Sequence, residues 1–188
     1  MDSRTALLRT ALQMFSSRGY DAVGVQEIAA ATGVTKPTLY HFFGSKNGLL
    51  EALFQESSVQ LDASVASACR YEGDLPITLD RIASAYIDFS TANPLAYQLE
   101  LSLYFSPRQN PVRVVSLNHF ARRQALIENV FFEAAREHGN LRGKHRRFAF
   151  SFVGSLNSYI VLQLDDEITI TDRLRRDIIH QFSHGIYS

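Results

Sequence analysis

Apolar residues recur at three- and four-residue spacing along nearly all of this 188-residue chain, which is the period of helices that bury one face. In the opening segment, residues 4–17, Leu7, Ala11 and Phe15 follow this spacing, and Gly19 ends the run. Nowhere do several alternating strands follow one another with hairpin turn pairs between them. The sequence therefore predicts an all-α protein of about nine helices.

Capping residues and helix breakers divide the rest of the chain. Ser45 and Thr171 are suited to begin helices because their hydroxyls can accept hydrogen bonds from first-turn amides. Asn93 precedes a proline, and a residue in that position avoids the α region, so a helix must end there. The predicted helices after the first cover residues 26–32, 36–43, 46–70, 76–93, 94–105, 110–139, 145–164 and 171–184.

Composition narrows the class of protein. With 46% hydrophobic residues, the chain is predicted to be soluble and globular rather than disordered. Cys69 is the only cysteine, so an intrachain disulfide is excluded and a cytoplasmic location is favoured. The longest uncharged run, residues 148–164, is shorter than a membrane span and contains Ser, Asn and Gln. We therefore expect no membrane segment, and no motif calls for a cofactor.

The stretch "IAAATGVTKPTLYHFF", residues 28–43, predicts two helices on either side of a tight turn. Gly33 is free to take positive φ where the chain reverses. In the second helix, Leu39, Phe42 and Phe43 lie three and four positions apart and are expected to face inward. The side chains thereby turned outward are Lys36, Pro37, Thr38, Tyr40 and His41.

This outward face has the chemistry of a DNA reader. Thr35 can cap the second helix, whose free first-turn amides, together with Lys36, favour a phosphate or a guanine edge in the major groove. Tyr40 and His41 can donate to phosphates, and Lys46, behind the next cap, can hold the flanking backbone. Residues 1–50 carry five basic and three acidic side chains, a bias too small to prove a nucleic-acid partner alone. The pattern predicts a helix-turn-helix aimed at duplex DNA.

Residues 4–54, and above all "ALLRTALQMFSSRGYDAVGVQEIAAATGVTKPTLYHFFGSKNGLLEALF", resemble the DNA-binding domain of the TetR family of bacterial transcriptional regulators. The resemblance implies an all-helical homodimer whose three N-terminal helices bind operator DNA, with residues 1–46 as the DNA-binding domain and 47–188 as the ligand-binding and dimerisation domain. Family roles carry over to Gln26, Thr35, Lys36, Thr38, Tyr40, His41 and Lys46. The sequence departs from the family at Val25, where a hydroxyl cap is common, and at Pro37, where a small residue is common.

The body of the chain is rich in aromatic residues on helices that also carry polar side chains. An apolar cavity with a few polar groups is what a small-molecule site requires, and the resemblance implies such a site for an effector. The alternative for each aromatic is ordinary core packing. The predicted ligand-binding residues are Tyr86, Phe89, Tyr97, Tyr104, Phe105, His119, Phe120, Phe152 and Asn157.

The last two helices are predicted to form the interface of the homodimer. Small residues on the eighth helix permit close helix approach, and the ninth carries an apolar stripe. The alternative is that both faces cover only their own subunit. The predicted interface residues are Ser151, Gly154, Ser155, Ser158, Leu174, Ile178 and Phe182.

Other functions have little support in the sequence. No Gly-rich phosphate loop, G-x-S-x-G elbow or H-E-x-x-H motif occurs, so an enzyme is not predicted. His180 and His184 have spacing that can share a metal, but no further ligand lies at a matching offset on that helix. We expect a repressor that binds a pseudo-palindromic operator and is released by a small apolar or amphipathic ligand. An architectural DNA binder without ligand sensing and a helical enzyme with an unrecognised site are the alternatives.

Overall fold

A computed structural model describes residues 2–110 and 112–185, which form an all-helical structure. Over these residues there are nine α-helices and no strand, which confirms the predicted fold class. The helices are α1 (Ser3–Arg18), α2 (Val25–Ala31), α3 (Lys36–Phe43), α4 (Lys46–Ala68), α5 (Leu75–Ala92), α6 (Pro94–Tyr104), α7 (Arg113–Ala134), α8 (His145–Leu164) and α9 (Asp172–His184). A short 3₁₀ turn, Gly139–Leu141, precedes α8.

Side-chain caps fix three of the helix starts as the sequence predicts. The hydroxyl oxygens of Thr35, Ser45 and Thr171 each accept a hydrogen bond from the backbone amide three residues later, at 3.3, 2.9 and 3.2 Å respectively. Each bond satisfies an amide that has no acceptor within its own helix. The starts of α3, α4 and α9 are therefore encoded locally.

The clearest difference from the predicted bounds is α7, which was expected over residues 110–139. It begins at Arg113 and ends at Ala134. Beyond Ala134 the chain turns, because the amides of Arg136 and Glu137 bond to carbonyls three residues earlier. This tightening is the ordinary way in which a helix satisfies its last carbonyls.

The first packing unit consists of residues 2–59 and 93–118, apart from residue 111. Here α6 packs against α1, and the Ser16 hydroxyl donates to the carbonyl of Leu95 at 3.0 Å. The buried core of this unit includes Leu7, Ala11, Phe15, Ile28, Leu39, Leu50, Phe54, Leu99, Leu103 and Val112. Helix α6 and the start of α7 thus share one core with α1–α3.

The second packing unit consists of residues 60–92 and 119–185. In it α5 packs against α8 and α9. Phe182 of α9 lies with its ring centre 6.1 Å from that of Phe131 and 5.1 Å from that of Phe152. An ion pair between Arg175 and Asp80 at 3.0 Å also joins α9 to α5. Aromatic packing and this ion pair hold the last helix in place.

These packing units do not follow the functional division predicted at residue 46. The first half of α4, and α6 with the start of α7, pack with the N-terminal helices. The division into a DNA-binding and a ligand-binding domain concerns roles, and it stays a prediction.

In the part of the chain that the structure describes, no helix is both long enough and apolar enough to cross a membrane.

Candidate nucleic-acid interface

Helices α2 and α3 and the turn between them form a compact pair. Gly33 takes φ of 71° in the turn, a conformation that favours glycine. The amide of Val34 donates to the carbonyl of Ala29 at 3.0 Å, which holds the turn against the end of α2. Leu39 of α3 is completely buried in the core of the first unit. The predicted helix-turn-helix is therefore present, with α3 as its second helix.

Phe42 was expected to face the core, and this prediction is wrong. Its side chain is 38% exposed, whereas Phe43 is partly buried and packs against the core. Phe43 follows Leu39 by four positions and lies on the same face of the helix. Phe42 follows Leu39 by three positions and lies at the edge of the apolar stripe. Phe42 thus adds an apolar ring beside exposed His41, at 5.9 Å between ring centres.

The outward residues of α3 form one polar and aromatic face. Lys36, Tyr40 and His41 are exposed, and the Lys36 ammonium lies 5.7 Å from the centre of the Tyr40 ring. The hydroxyls of Thr35 and Thr38 lie 2.8 Å apart, so both sit at the start of the helix. The first turn of α3 contains no acidic residue, which leaves its positive dipole end unopposed. This face can bind an anion through amides, an ammonium and hydroxyls together.

Lys46 has a different environment from the other predicted DNA contacts. Its ammonium donates to the backbone carbonyl of Tyr20 and lies 4.1 Å from the centre of the Tyr20 ring. Burial lowers the pKa of Lys46, against the opposing effect of the nearby Asp21 and Glu27 carboxylates. In this structure Lys46 therefore braces the segment after α1 against the start of α4. Its contact with the DNA backbone stays a prediction.

The start of α2 explains the departure at Val25, the first residue of that helix. The cap position is Gly24, whose amide donates to Oε1 of Glu27 at 3.1 Å. Oε2 of Glu27 accepts from Arg18 at 2.7 Å, and these hydrogen bonds hold the pKa of Glu27 below its usual range. A glutamate at the third helical position is the cue that would have found this arrangement in the sequence. Gln26 is exposed beside it.

The predicted ligand residues fall in both packing units. In the second unit, the buried residues of this set are Tyr86, Phe89, Phe152 and Asn157, and the half-buried ones are His119 and Phe120. In the first unit, Tyr97 is buried, Tyr104 is half-buried and Phe105 is exposed. Phe89 lines a groove of about 850 Å³ between α4 and α5 of the second unit. Phe105 is 73% exposed, so the alternative of ordinary core packing does not describe it. Contact of Phe105 with a ligand stays a prediction.

A buried polar cluster in the second unit was not predicted as such. Nη1 of Arg123 donates to Oδ1 of Asp62 at 2.6 Å, although the arginine side chain is only 1% exposed. Oδ2 of Asp62 lies 3.0 Å from Nδ1 of His119. Burial raises the pKa of Tyr86 to about 12, against the opposing charge of Arg123. Among these residues, sequence reasoning had found only His119 and Tyr86.

The predicted interface residues divide between exposed and buried positions. On α8, Ser151, Gly154 and Ser158 are exposed and Ser155 is half-buried. On α9, Leu174 is half-buried, Ile178 is only 2% exposed, and Phe182 packs on the aromatic side chains of its own chain. For Ile178 and Phe182 this matches the alternative that they cover their own subunit. The exposed face of α8 remains available for the predicted interface.

Two short helices joined by a tight turn, with a second helix that exposes groups able to bind phosphates, define a helix-turn-helix DNA-binding protein. Residues 7–53 match the family model described as "Bacterial regulatory proteins, tetR family". The segment that forms this helix-turn-helix, residues 7–53, is therefore that of the TetR family of bacterial transcriptional regulators, as the sequence predicts.

Curated relatives match over part of their length. The chain is 37% identical over 98 residues to the HTH-type transcriptional activator FasR of Mycolicibacterium smegmatis, a match covering 52% of this chain and 45% of FasR. It is 26% identical over 136 residues to the HTH-type transcriptional regulator BetI of Escherichia coli, covering 71% and 69% of the two chains. The matched part spans less than half the length of FasR, so the match does not extend to the activity of that whole protein.

Solved structures resemble the whole fold at low sequence identity. The TetR family transcriptional regulator PfmR from Thermus thermophilus superposes with a TM-score of 0.75 at 21% identity, over 97% of this chain and 99% of that one. The transcriptional regulator FadR from Bacillus subtilis, in complex with stearoyl-CoA, gives a TM-score of 0.79 at 16% identity over the same shares. These similarities establish the fold.

Proposed function

We propose that the protein regulates transcription by binding a pseudo-palindromic operator as a homodimer, and that a small apolar or amphipathic ligand releases it. The observation that carries this proposal is the exposed face of α3. Lys36, Tyr40 and His41 lie on it beside the amides of the helix start. A helix of this kind fits the major groove, where base edges can be read and phosphates anchor the register.

A homodimer follows from the small number of bases that one helix can read. Two copies related by a twofold axis would place two α3 helices in successive major grooves, ~34 Å apart. The exposed face of α8 supports pairing of helices, because open space surrounds the α-carbon of Gly154. Phe150 and Val161, each 41% exposed, lie on the same face as Gly154 and would be covered by a second copy.

Release by a ligand is supported by the fold and by the second unit. FadR, which has the same fold, was solved in complex with stearoyl-CoA, an amphipathic molecule. In this chain the C-terminal half of α4 is tied to α7 through Asp62 and Arg123, so a ligand that shifts α7 also shifts the helix that follows α3. A coupling of about 1–3 kcal/mol would lower operator affinity about 5- to 150-fold.

Operator selection from random duplexes, followed by anisotropy titration of the selected DNA, tests the DNA-binding step. We expect Lys36→Ala and Tyr40→Ala to lower operator affinity about 5- to 150-fold each, the equivalent of about 1–3 kcal/mol per specific contact. The thermal midpoint of both variants should equal that of the parent because both side chains are exposed. Lys144→Ala, at an exposed lysine of the second unit, is the matched control. Unchanged operator affinity in Lys36→Ala and Tyr40→Ala would refute the assignment.

Reciprocal linkage tests the release step. A ligand that lowers operator affinity must itself bind more weakly, by the same factor, when the operator is saturating. Calorimetric titration of a ligand found by thermal-shift screening, with and without operator, measures both sides of the cycle. Equal ligand affinity in the two titrations would show that the protein is not a ligand-released regulator.

A further inference from the structure

A second concave surface of the second unit lies between the start of α5 and the face of α9. It encloses about 390 Å³, within the range of small-molecule sites, and Ile77, Ile179, Arg176 and His180 are among the residues that line it. None of these residues belongs to the predicted DNA-contacting, ligand-binding or interface sets. The groove is therefore separate from the sites on which the proposed function rests.

The floor of the groove is apolar and partly open to solvent. Ile77, in the first turn of α5, is 57% exposed. Its side chain therefore lacks part of the stabilising free energy that a buried isoleucine gains. Pro76 lines the groove next to Ile77 on α5, and Ile179 of α9, which is almost fully buried, lines the opposite side. An apolar chain laid in the groove would cover Ile77 and remove that exposed surface from water.

The charge left available along the rim is positive. Asp80 lines the groove but is held by Arg175 at 3.0 Å. Arg81 also lines it and is paired with Glu72 at 3.3 Å. Arg176 is exposed, and within the described residues it has no ion pair. A carboxylate at Arg176 would therefore find a guanidinium without a competing carboxylate.

Two histidines extend the rim beyond Arg176. The rings of His180 and His184 lie 4.5 Å apart at an angle of 38°, one turn apart on the exposed side of α9. Within residues 2–110 and 112–185, no group of three or more His, Cys, Asp or Glu residues has metal-binding geometry. The ring N–H groups of His180 and His184 can instead donate to an anion held at Arg176, since imidazole and guanidinium both bind carboxylates.

We propose that this groove binds a small amphiphilic anion, with its apolar chain against Ile77 and Ile179 and its carboxylate on Arg176 and His180. The volume favours a chain of medium length, because 390 Å³ is at the lower end of the range for ligand sites. The cationic rim selects this ligand over a neutral lipid and over an acyl chain without a head group. A second copy of the chain is the competing occupant, and the test separates the two.

Calorimetric titration of the full chain with decanoate, compared with methyl decanoate, tests the proposal. We expect one decanoate per chain and about 10-fold weaker binding of the ester, which lacks the charge recognised by Arg176. Arg176→Gln should weaken decanoate binding about 10-fold, and Ile77→Gln about 5- to 10-fold. Arg173→Gln is the matched control, because its side chain is 89% exposed on the same helix and does not line the groove.

Three results would overturn the proposal. Decanoate affinity in Arg176→Gln and Ile77→Gln within about 2-fold of the parent would place the ligand elsewhere, as would equal binding of acid and ester. A shift of the monomer–dimer equilibrium in Ile77→Gln, seen by sedimentation, would assign the groove to a second copy. Operator affinity of these variants is expected to be unchanged, so failure here leaves the proposed regulatory function standing.

Discussion

Asp62 of α4 accepts a hydrogen bond at 2.6 Å from Arg123 of α7, a side chain that is only 1% exposed. Arginine is almost never buried to this degree unless it is paired. Burial raises the pKa of Asp62, but the hydrogen bond from His119 and the charge of Arg123 outweigh it, and the net pKa lies below the usual value. The ionised form of Asp62 is therefore the form that the fold stabilises.

The first prediction concerns the pH dependence of stability. Because the pKa of Asp62 is lower in the folded state, its contribution is complete above the unfolded value of 3.8 and is lost as the pH falls through the folded-state pKa. Asp62→Asn should cost about 2–3 kcal/mol at neutral pH, since it leaves a buried guanidinium without its carboxylate. Urea unfolding followed by circular dichroism, at neutral pH and below pH 3.8, measures both effects.

A matched control and a double variant sharpen this test. Asp177→Asn removes an exposed carboxylate whose contact with Arg173 is 4.0 Å long, and it should leave stability unchanged. The pair Asp62→Leu with Arg123→Met should be more stable than Asp62→Asn alone, because it removes the buried charge together with its partner. A double variant as unstable as the single one would contradict this account of the ion pair.

The second prediction separates two lysines that the sequence placed together. Lys46→Ala should lower the free energy of unfolding by about 1–2 kcal/mol, because the ammonium bonds to the Tyr20 carbonyl and lies over its ring. Lys36→Ala should leave it unchanged, because that side chain is exposed. Urea unfolding of both variants in the absence of DNA gives the comparison. Equal stability of the two would mean that Lys46 does not brace the first unit.

The third prediction moves the test of dimerisation from α9 to α8. Gly154 lies inside a helix with open space around it, so Gly154→Gln should raise the stability of the single chain by about 0.5–1 kcal/mol. The same longer side chain should weaken a close helix pair. Sedimentation equilibrium is expected to show a lower dimer fraction for Gly154→Gln, and an unchanged fraction would count against this face.

Ile178→Glu is the contrasting variant. The side chain is 2% exposed within a single chain, so a glutamate there should destabilise the fold by about 3 kcal/mol or more. A loss of dimer in that variant would therefore report unfolding rather than contact between subunits. Circular dichroism of Ile178→Glu beside that of Gly154→Gln distinguishes the two causes.

Local signals accounted for most of the fold. Helix α3 begins and ends where the sequence predicts, because the cap at Thr35 and the following Pro37 are both local. Helix α7 was predicted too long because Gly139 was taken as its stop, whereas the amides of Arg136 and Glu137 already turn the chain after Ala134. The period could not place Phe42 either, since a residue at the edge of a stripe is buried only if the tertiary structure covers it.

In the candidate site too, local patterns predicted the exposed helix face but not the contacts between residues far apart in the sequence. Helix periodicity was enough to place Lys36, Tyr40 and His41 on the outward face of α3, although it misplaced Phe42. The contact of Lys46 with Tyr20 joins residues 26 positions apart, and that of Asp62 with Arg123 joins residues 61 apart. No spacing rule links residues at such separations. The stripe on α9 was predicted correctly as apolar, but a pattern does not tell whether its own subunit or a second one covers Ile178.

The first packing unit is built from two separate stretches of chain, residues 2–59 and 93–118. Leu99, Leu103 and Val112 from the second stretch belong to the same core as the helix-turn-helix. A recombination breakpoint at residue 46 would therefore remove these side chains from the core of the helix-turn-helix. It would also leave them exposed to water in the other part of the chain. Exchange of DNA specificity between relatives, in evolution or in the laboratory, should give a foldable chimera only when both stretches travel together.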